Sequence, residues 1–180
     1  MTQVSRALAL SLLIALLSQP RTAHAGPTDT PLPTFSDGKP GMRVYHAVGV
    51  IKANNLQTDF ICTNLDSAPV DIGVEVFDET GALRNSIAAD NGAFLNVGPG
   101  KTMTMGTGST VVVHEDKTIT LNAGGNAADL LRNGSGRVVG TSKNIACTAL
   151  IVDKLHAIVD PATSSLPPPP FTNLPLIRVP

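Results

Sequence analysis

Tryptophan is absent from this 180-residue chain, tyrosine occurs once and phenylalanine five times. Stacking platforms of the kind that sugar-cleaving sites rely on are therefore scarce. Cysteine is nearly absent too, and the distance between its two occurrences, Cys62 and Cys147, excludes a CxxC redox or zinc motif. No basic cluster occurs, so nucleic acid and anionic membrane surfaces are poor partners. The only sizeable apolar stretch runs from Ala7 to Leu17. Its eleven residues make a helix of about 16 Å, too short for a hydrocarbon core of about 30 Å, so no stable membrane span is expected in the mature form.

What that stretch does fit is export. Arg6 precedes it, and a polar region ending in Ala23-His24-Ala25 follows, the three-part layout of a cleavable signal peptide. Cleavage after Ala25 predicts a mature chain of 155 residues, one domain's worth. No cysteine follows the apolar stretch closely, and Arg6 has no neighbouring Arg, which favours the general export route without lipidation. Of the 13 basic residues, Arg6 and Arg21 lie in the signal segment, leaving 11 against 14 acidic ones, a mild formal charge of −3. The expected location is periplasmic or secreted. In an oxidising compartment Cys62 and Cys147 form a disulfide. Such a bridge joins an early strand to a late one and in a sandwich can lie across facing sheets.

Residues 26–41 carry Pro27, Pro31, Pro33 and Pro40 and read as an extended, mobile leader. Residues 160–180 include the Pro167 to Pro170 run and read as a Pro-rich tail with polyproline II character. Between them, residues 42–159 show period two far more often than period 3.6. Val70, Ile72, Val74 and Val76 alternate with Asp71, Gly73, Glu75 and Phe77 in the clearest strand. Thr58 to Asn64 puts Phe60 and Cys62 on one face, and the turn chemistry of Asn64 to Pro69 joins these two strands as a hairpin. Further strands are expected at 82–87, 94–97, 102–105, 111–114, 118–121, 136–142 and 145–152, the last continuing over 155–159. Glu115-Asp116-Lys117 reads as an exposed tip, and a short helix is expected around 127–132. The sum is an all-β fold, a single antiparallel β-sandwich of about 8–10 short strands.

The order TDFICTN (Thr58 to Asn64), PVDIGVEVFDETG (Pro69 to Gly81), GPGKT (Gly98 to Thr102) and GRVVGTS (Gly136 to Ser142) resembles secreted bacterial β-sandwich domains of immunoglobulin-like architecture. The resemblance implies fold and export and no activity. The Trp that packs on the bridge of antibody domains has no counterpart.

Motifs for chemistry are sparse. His46, His114 and His156 show no HxH or HExxH spacing. His114-Glu115-Asp116 is the most ligand-like cluster, yet consecutive strand residues point to opposite faces. Asp78, Glu79, Asp90 and Asn91 offer oxygens for calcium without forming its DxDxDG loop, and turn use accounts for them better. No GxSxG elbow and no phosphate-binding glycine spacing occurs, and the Asn133-Gly134-Ser135 sequon matches by chance often. The expectation is an exported, non-enzymatic structural, adhesive or ligand-binding module, without cofactor, whose partner is an envelope or extracellular protein or glycan. The alternative is a small extracytoplasmic hydrolase or metal-dependent enzyme built from His46, His114, Asp116 and Asp153. A further option is self-association, with Leu174, Leu176, Ile177 and Val179 of the tail docking on a sheet edge of another copy.

Overall fold

The computed structural model describes residues 26–110, 113–121, 130–154 and 171–180. The signal segment, His156 and the expected strand at 155–159 lie outside the described residues. The described chain is all-β, with ten strands: β1 (Met42–Ala53), β2 (Leu56–Asn64), β3 (Val70–Phe77), β4 (Ala93–Val97), β5 (Thr102–Gly106), β6 (Lys117–Thr118), β7 (Leu131–Gly140), β8 (Ile145–Asp153), β9 (Phe171–Leu174) and β10 (Leu176–Arg178). One layer has the order β4-β3-β7-β1 and the other β8-β2-β5-β6. All pairings are antiparallel except the short β5–β6 contact.

The layers are joined twice. Asn54-Asn55 closes the β1–β2 hairpin, with Lys52 opposite Gln57 and Ala53 opposite Leu56. Asn54 has a φ of +54°, the left-handed geometry that tight two-residue hairpin turns require and Asn tolerates. Irregularities between Val48 and Lys52 in the β1–β7 pairing, with Gly49 at a φ of +92°, bend β1 in the manner of β-bulges. The second join is the C-terminal segment. β9 pairs with β8 in one layer, and after Pro175 β10 pairs with β1 in the other. Proline lacks the N–H that a continuous ladder would need, so the strand changes sheet where it occurs.

Several expectations give way here. Asn64 to Pro69 does not close a hairpin: β2 pairs with β5 and β8, while β3 pairs with β4 and β7. Its turn residues reverse the chain between layers. The strand expected at 82–87 is reduced to one bridge, Phe77 with Leu83, followed by a 3-10 turn at Ile87–Ala89. Val113 and His114 are not in a strand. Of the helix expected around 127–132, residues 127–129 lie outside the described residues, and Leu131 and Arg132 open β7. Within the Glu115-Asp116-Lys117 tip, Asp116 is exposed and its neighbours half-buried, while Asp116 Oδ2 accepts the Thr104 N–H at 2.8 Å and Lys117 lies in β6.

The core draws on both layers, with Val50, Ile72, Val74 and Val138 from one and Phe60 and Met105 from the other. Each such side chain contributes on the order of 1.5–3 kcal/mol by leaving water. Every residue of β3 is buried, because its outer face is also covered. Phe35 from the proline-rich leader packs there with Ile87, Ala93 and Val139. Gly73 is required beneath them, since a Cβ at that position would stand 2.7 Å from Ile87 Cδ1. The leader is therefore docked. Its anchor is Arg137, whose guanidinium donates to the carbonyls of Pro27, Thr30 and Pro31 at 2.9, 2.8 and 3.0 Å.

The tail residues 171–180 likewise dock on their own chain. Leu174 is buried, and Arg178 donates to Lys143 O at 2.8 Å while stacking over Tyr45. The Tyr45 hydroxyl donates to Ile145 O at 2.9 Å, tying β1 to β8. Among the described residues no helix is long and apolar enough to cross a membrane.

Candidate functional site

Cys62 and Cys147 form a disulfide with a Cα–Cα distance of 4.2 Å. They stand directly opposite each other in the β2–β8 pair. The bridge thus lies within one sheet and does not link facing ones: residues opposite in adjacent antiparallel strands come as close as about 4.5 Å, within disulfide reach.

The four residues of the enzyme alternative do not gather. His114 is almost fully exposed, with Nε2 3.7 Å from Asp116 Oδ1. His46 is half-buried in β1, opposite Arg137 and Ile177. Burial first, then the charges of Arg43 and Arg137, hold its pKa below the usual histidine value. Asp153 ends β8 opposite Leu56, beside the β1–β2 hairpin. His46 precedes Lys52, which adjoins that hairpin, by six residues. Among the described residues no group of three or more His, Cys, Asp or Glu converges as a metal site. Asp78 Oδ1 accepts from the N–H groups of Thr80 and Ala82, both at 3.0 Å, and Asp90 pairs with Lys117 at 3.1 Å. These are turn and ion-pair contacts.

The polar cluster that does form involves residues with no motif around them. Gln57 and Asp59 project from the same face of β2, and the chain returning from β5 covers them. Gln57 Nε2 donates to Asp59 Oδ1 at 3.0 Å and to Glu115 Oε1 at 2.9 Å. Glu115 Oε1 also accepts the Thr110 N–H at 2.9 Å. Asp59 and Gln57 are buried, and Asp59 Oδ2 and Gln57 Oε1 have no hydrogen-bond partner among the described residues. Burial, reinforced by the negative charge of Glu115, pushes the Asp59 pKa up to about 7. The covering segment can approach this closely only because it is glycine-rich. A Cβ on Gly106 would stand 2.5 Å from Asp59 Oδ1, and one on Gly108 would collide with Gln57 Oε1. Next to this, Thr58 N–H donates to Thr107 Oγ1 at 3.0 Å, and Thr107 N–H donates back to Thr58 O at 2.9 Å. The sequence signal was the Gly106-Thr107-Gly108 spacing, which by itself reads as a flexible turn.

On the outer side of Gln57 a cleft of about 210 Å³ opens at the hairpin end of the sandwich. Its lining includes Lys52, Leu56, Gln57, Ser109, Leu130 and Lys154. A second hollow, about 330 Å³, lies between Leu56, Ile151, Phe171 and Thr172. Leu56 belongs to both. The first is mixed, with two lysines among apolar side chains, and the second is almost wholly apolar. Such pairing of an apolar wall with a few placed polar groups is the usual make-up of a small-molecule site.

No protein-family model matches this chain, and neither the curated proteins nor the solved structures include a match.

Proposed function

We propose that the protein is an exported, non-enzymatic ligand-binding module that works in the periplasm or outside the cell. The observation that carries the binding reading is the pair of hollows meeting at Leu56, where a cationic cleft adjoins an apolar groove. Export is supported by the layout of Arg6, the apolar stretch and Ala23-His24-Ala25. The Cys62–Cys147 bridge, a bond that persists in oxidising compartments, is compatible with it. The motif order from TDFICTN to GRVVGTS, similar to that of secreted bacterial immunoglobulin-like sandwiches, points the same way. Structural and adhesive roles of such a module involve an envelope or extracellular protein or glycan.

The reading of a hydrolase built from His46, His114, Asp116 and Asp153 draws no support from the geometry, because His46 lies opposite Arg137 and Ile177 in β1 while Asp153 ends β8 opposite Leu56. The test combines cell fractionation with binding. The mature protein is expected outside the cytoplasm, and its binding to a panel of lipids, glycans and envelope extracts is expected to weaken on Leu56→Asp. Recovery of the uncleaved chain in the cytoplasm, or binding indifferent to Leu56, refutes the proposal.

A further inference from the structure

The two hollows differ in chemistry and share a wall, which narrows what can fill both. The ionisable side chains that line the cleft are Lys52 and Lys154, and Ser109 and Asn54 add hydrogen-bonding groups. No acidic side chain is part of that lining. Lys52 already has a polar partner, as does Asp153 beside Lys154, so the cleft offers charge for one anionic group and too little for a polyanion. The groove offers the opposite surface. Phe171 is 59% exposed and Leu56 38%, and with Ile151 they leave apolar area in water whose cover is favourable. A glycan would meet only one aromatic ring there, Phe171, which is a poor stacking platform.

We infer that this end of the sandwich binds an anionic amphiphile: a single acyl chain ending in a carboxylate, its head between Lys52 and Lys154 and its chain along Leu56, Ile151 and Phe171. This rests on the reading of the protein as a binding module and names the ligand class of the same site. The head gains charge-assisted hydrogen bonds from an ammonium group. The chain gains burial against Leu56, which lines both the cleft and the groove. Together the hollows fall within the size range of sites for small organic ligands.

The experiment uses the mature, disulfide-bonded protein and isothermal titration below micelle-forming concentrations. The probes are laurate, dodecanol, dodecyltrimethylammonium and acetate. Laurate is expected to bind at one site per chain, at least tenfold tighter than dodecanol or the cationic surfactant, with acetate showing no saturation. Lys154→Gln is expected to weaken laurate about tenfold, a change of about 1.4 kcal/mol, and to leave dodecanol unaffected. Phe171→Ser is expected to weaken both, with the thermal midpoint of each variant confirming that it folds. Equal affinity for the cationic surfactant, or laurate binding indifferent to Lys154, overturns the inference. So does a dimer that Phe171→Ser dissolves, since a second copy then covers the groove. If laurate fails while a member of the glycan or protein panel binds through Leu56, the amphiphile is wrong and the binding module stands. If no probe or panel member binds through Leu56, both fall.

Discussion

Glu75 and Arg137 face each other across the β3–β7 pair, both buried, with Arg137 Nε 2.7 Å from Glu75 Oε2. Burial pushes the Glu75 carboxyl upward, and Arg137 opposes that shift. The remaining donors of the guanidinium hold carbonyls of the leader, so one side chain satisfies a buried acid and fastens residues 27–31 at once.

Removing one partner of such a pair strands the other. Arg137→Met is expected to cost about 3–5 kcal/mol, because Glu75 stays buried without its cation and three leader carbonyls lose their donor. The double variant Arg137→Met with Glu75→Met recovers much of that loss. Urea unfolding of the wild type, the single and the double variant measures it, and a single-variant loss below about 1 kcal/mol contradicts the account.

Asp59 sets a pH dependence with an unusual sign. Its folded pKa of about 7 lies above the ordinary 3.8, so between those values the folded state holds the proton more tightly than the unfolded one. Stability is therefore greatest near the lower end and falls as pH rises through about 7, by a few kcal/mol in order of magnitude. Asp66 and Asp78, whose pKa values are lowered, act oppositely: their contribution is present above the ordinary carboxylate range and fades as pH drops below it. Asp59→Asn keeps an oxygen for Gln57 and removes the buried charge. It is expected to raise the melting temperature at pH 8 and to flatten the profile between pH 4 and 7. A variant that tracks the wild-type profile shows that Asp59 does not carry it.

The bridge between Cys62 and Cys147 closes a loop of 85 residues. Replacing both with Ala is expected to cost about 2–5 kcal/mol, read from unfolding curves, with the strand content unchanged in circular dichroism. Since β2 and β8 are paired along nine residues independently of the bridge, loss of the sheet itself under native conditions is the result that rejects this view.

The C-terminal segment predicts a contrast within three residues. Leu174 is buried at 6% exposure and Ile177 is 59% exposed. Leu174→Ala is expected to cost about 2–3 kcal/mol, near the lower end for buried leucines, and Ile177→Ala less than about 0.5 kcal/mol. Similar values for the two, from chemical unfolding, run against the docked arrangement.

Much of the fold was legible because alternation is a local signal. Val70 to Val76 and Phe60 to Cys62 point inward as their spacing requires, and Gly98-Pro99-Gly100 separates two strands as expected. Pairing was less legible, since a turn such as Asn64 to Pro69 records a reversal of direction and not which strand lies alongside. Proline density in 26–41 and 160–180 suggested extended chain. Extended chain is also what docks on a sheet, and nothing local reveals that Arg137 or β1 waits to receive it. Of the candidate site, Cys62 and Cys147 were legible by compartment. Gln57 and Asp59 were not, because polar residues on alternate strand positions look solvated until a loop remote in sequence covers them. Lys52, Leu56, Phe171 and Lys154 meet only through the three-dimensional fold.

The sheet-switching strand around Pro175 also sets an order of assembly. A ribosome makes β1 long before β10, yet the two are neighbours, as are β8 and β9. Folding that proceeds from the N-terminus as synthesis advances therefore leaves the edge of β1 beside Tyr45 to Ala47, and the outer edge of β8, without their own-chain strands until β9 and β10 emerge. During that interval the nascent chain displays two open strand edges that the finished molecule closes for itself, and it is then that a foreign strand or a holding chaperone finds its opening.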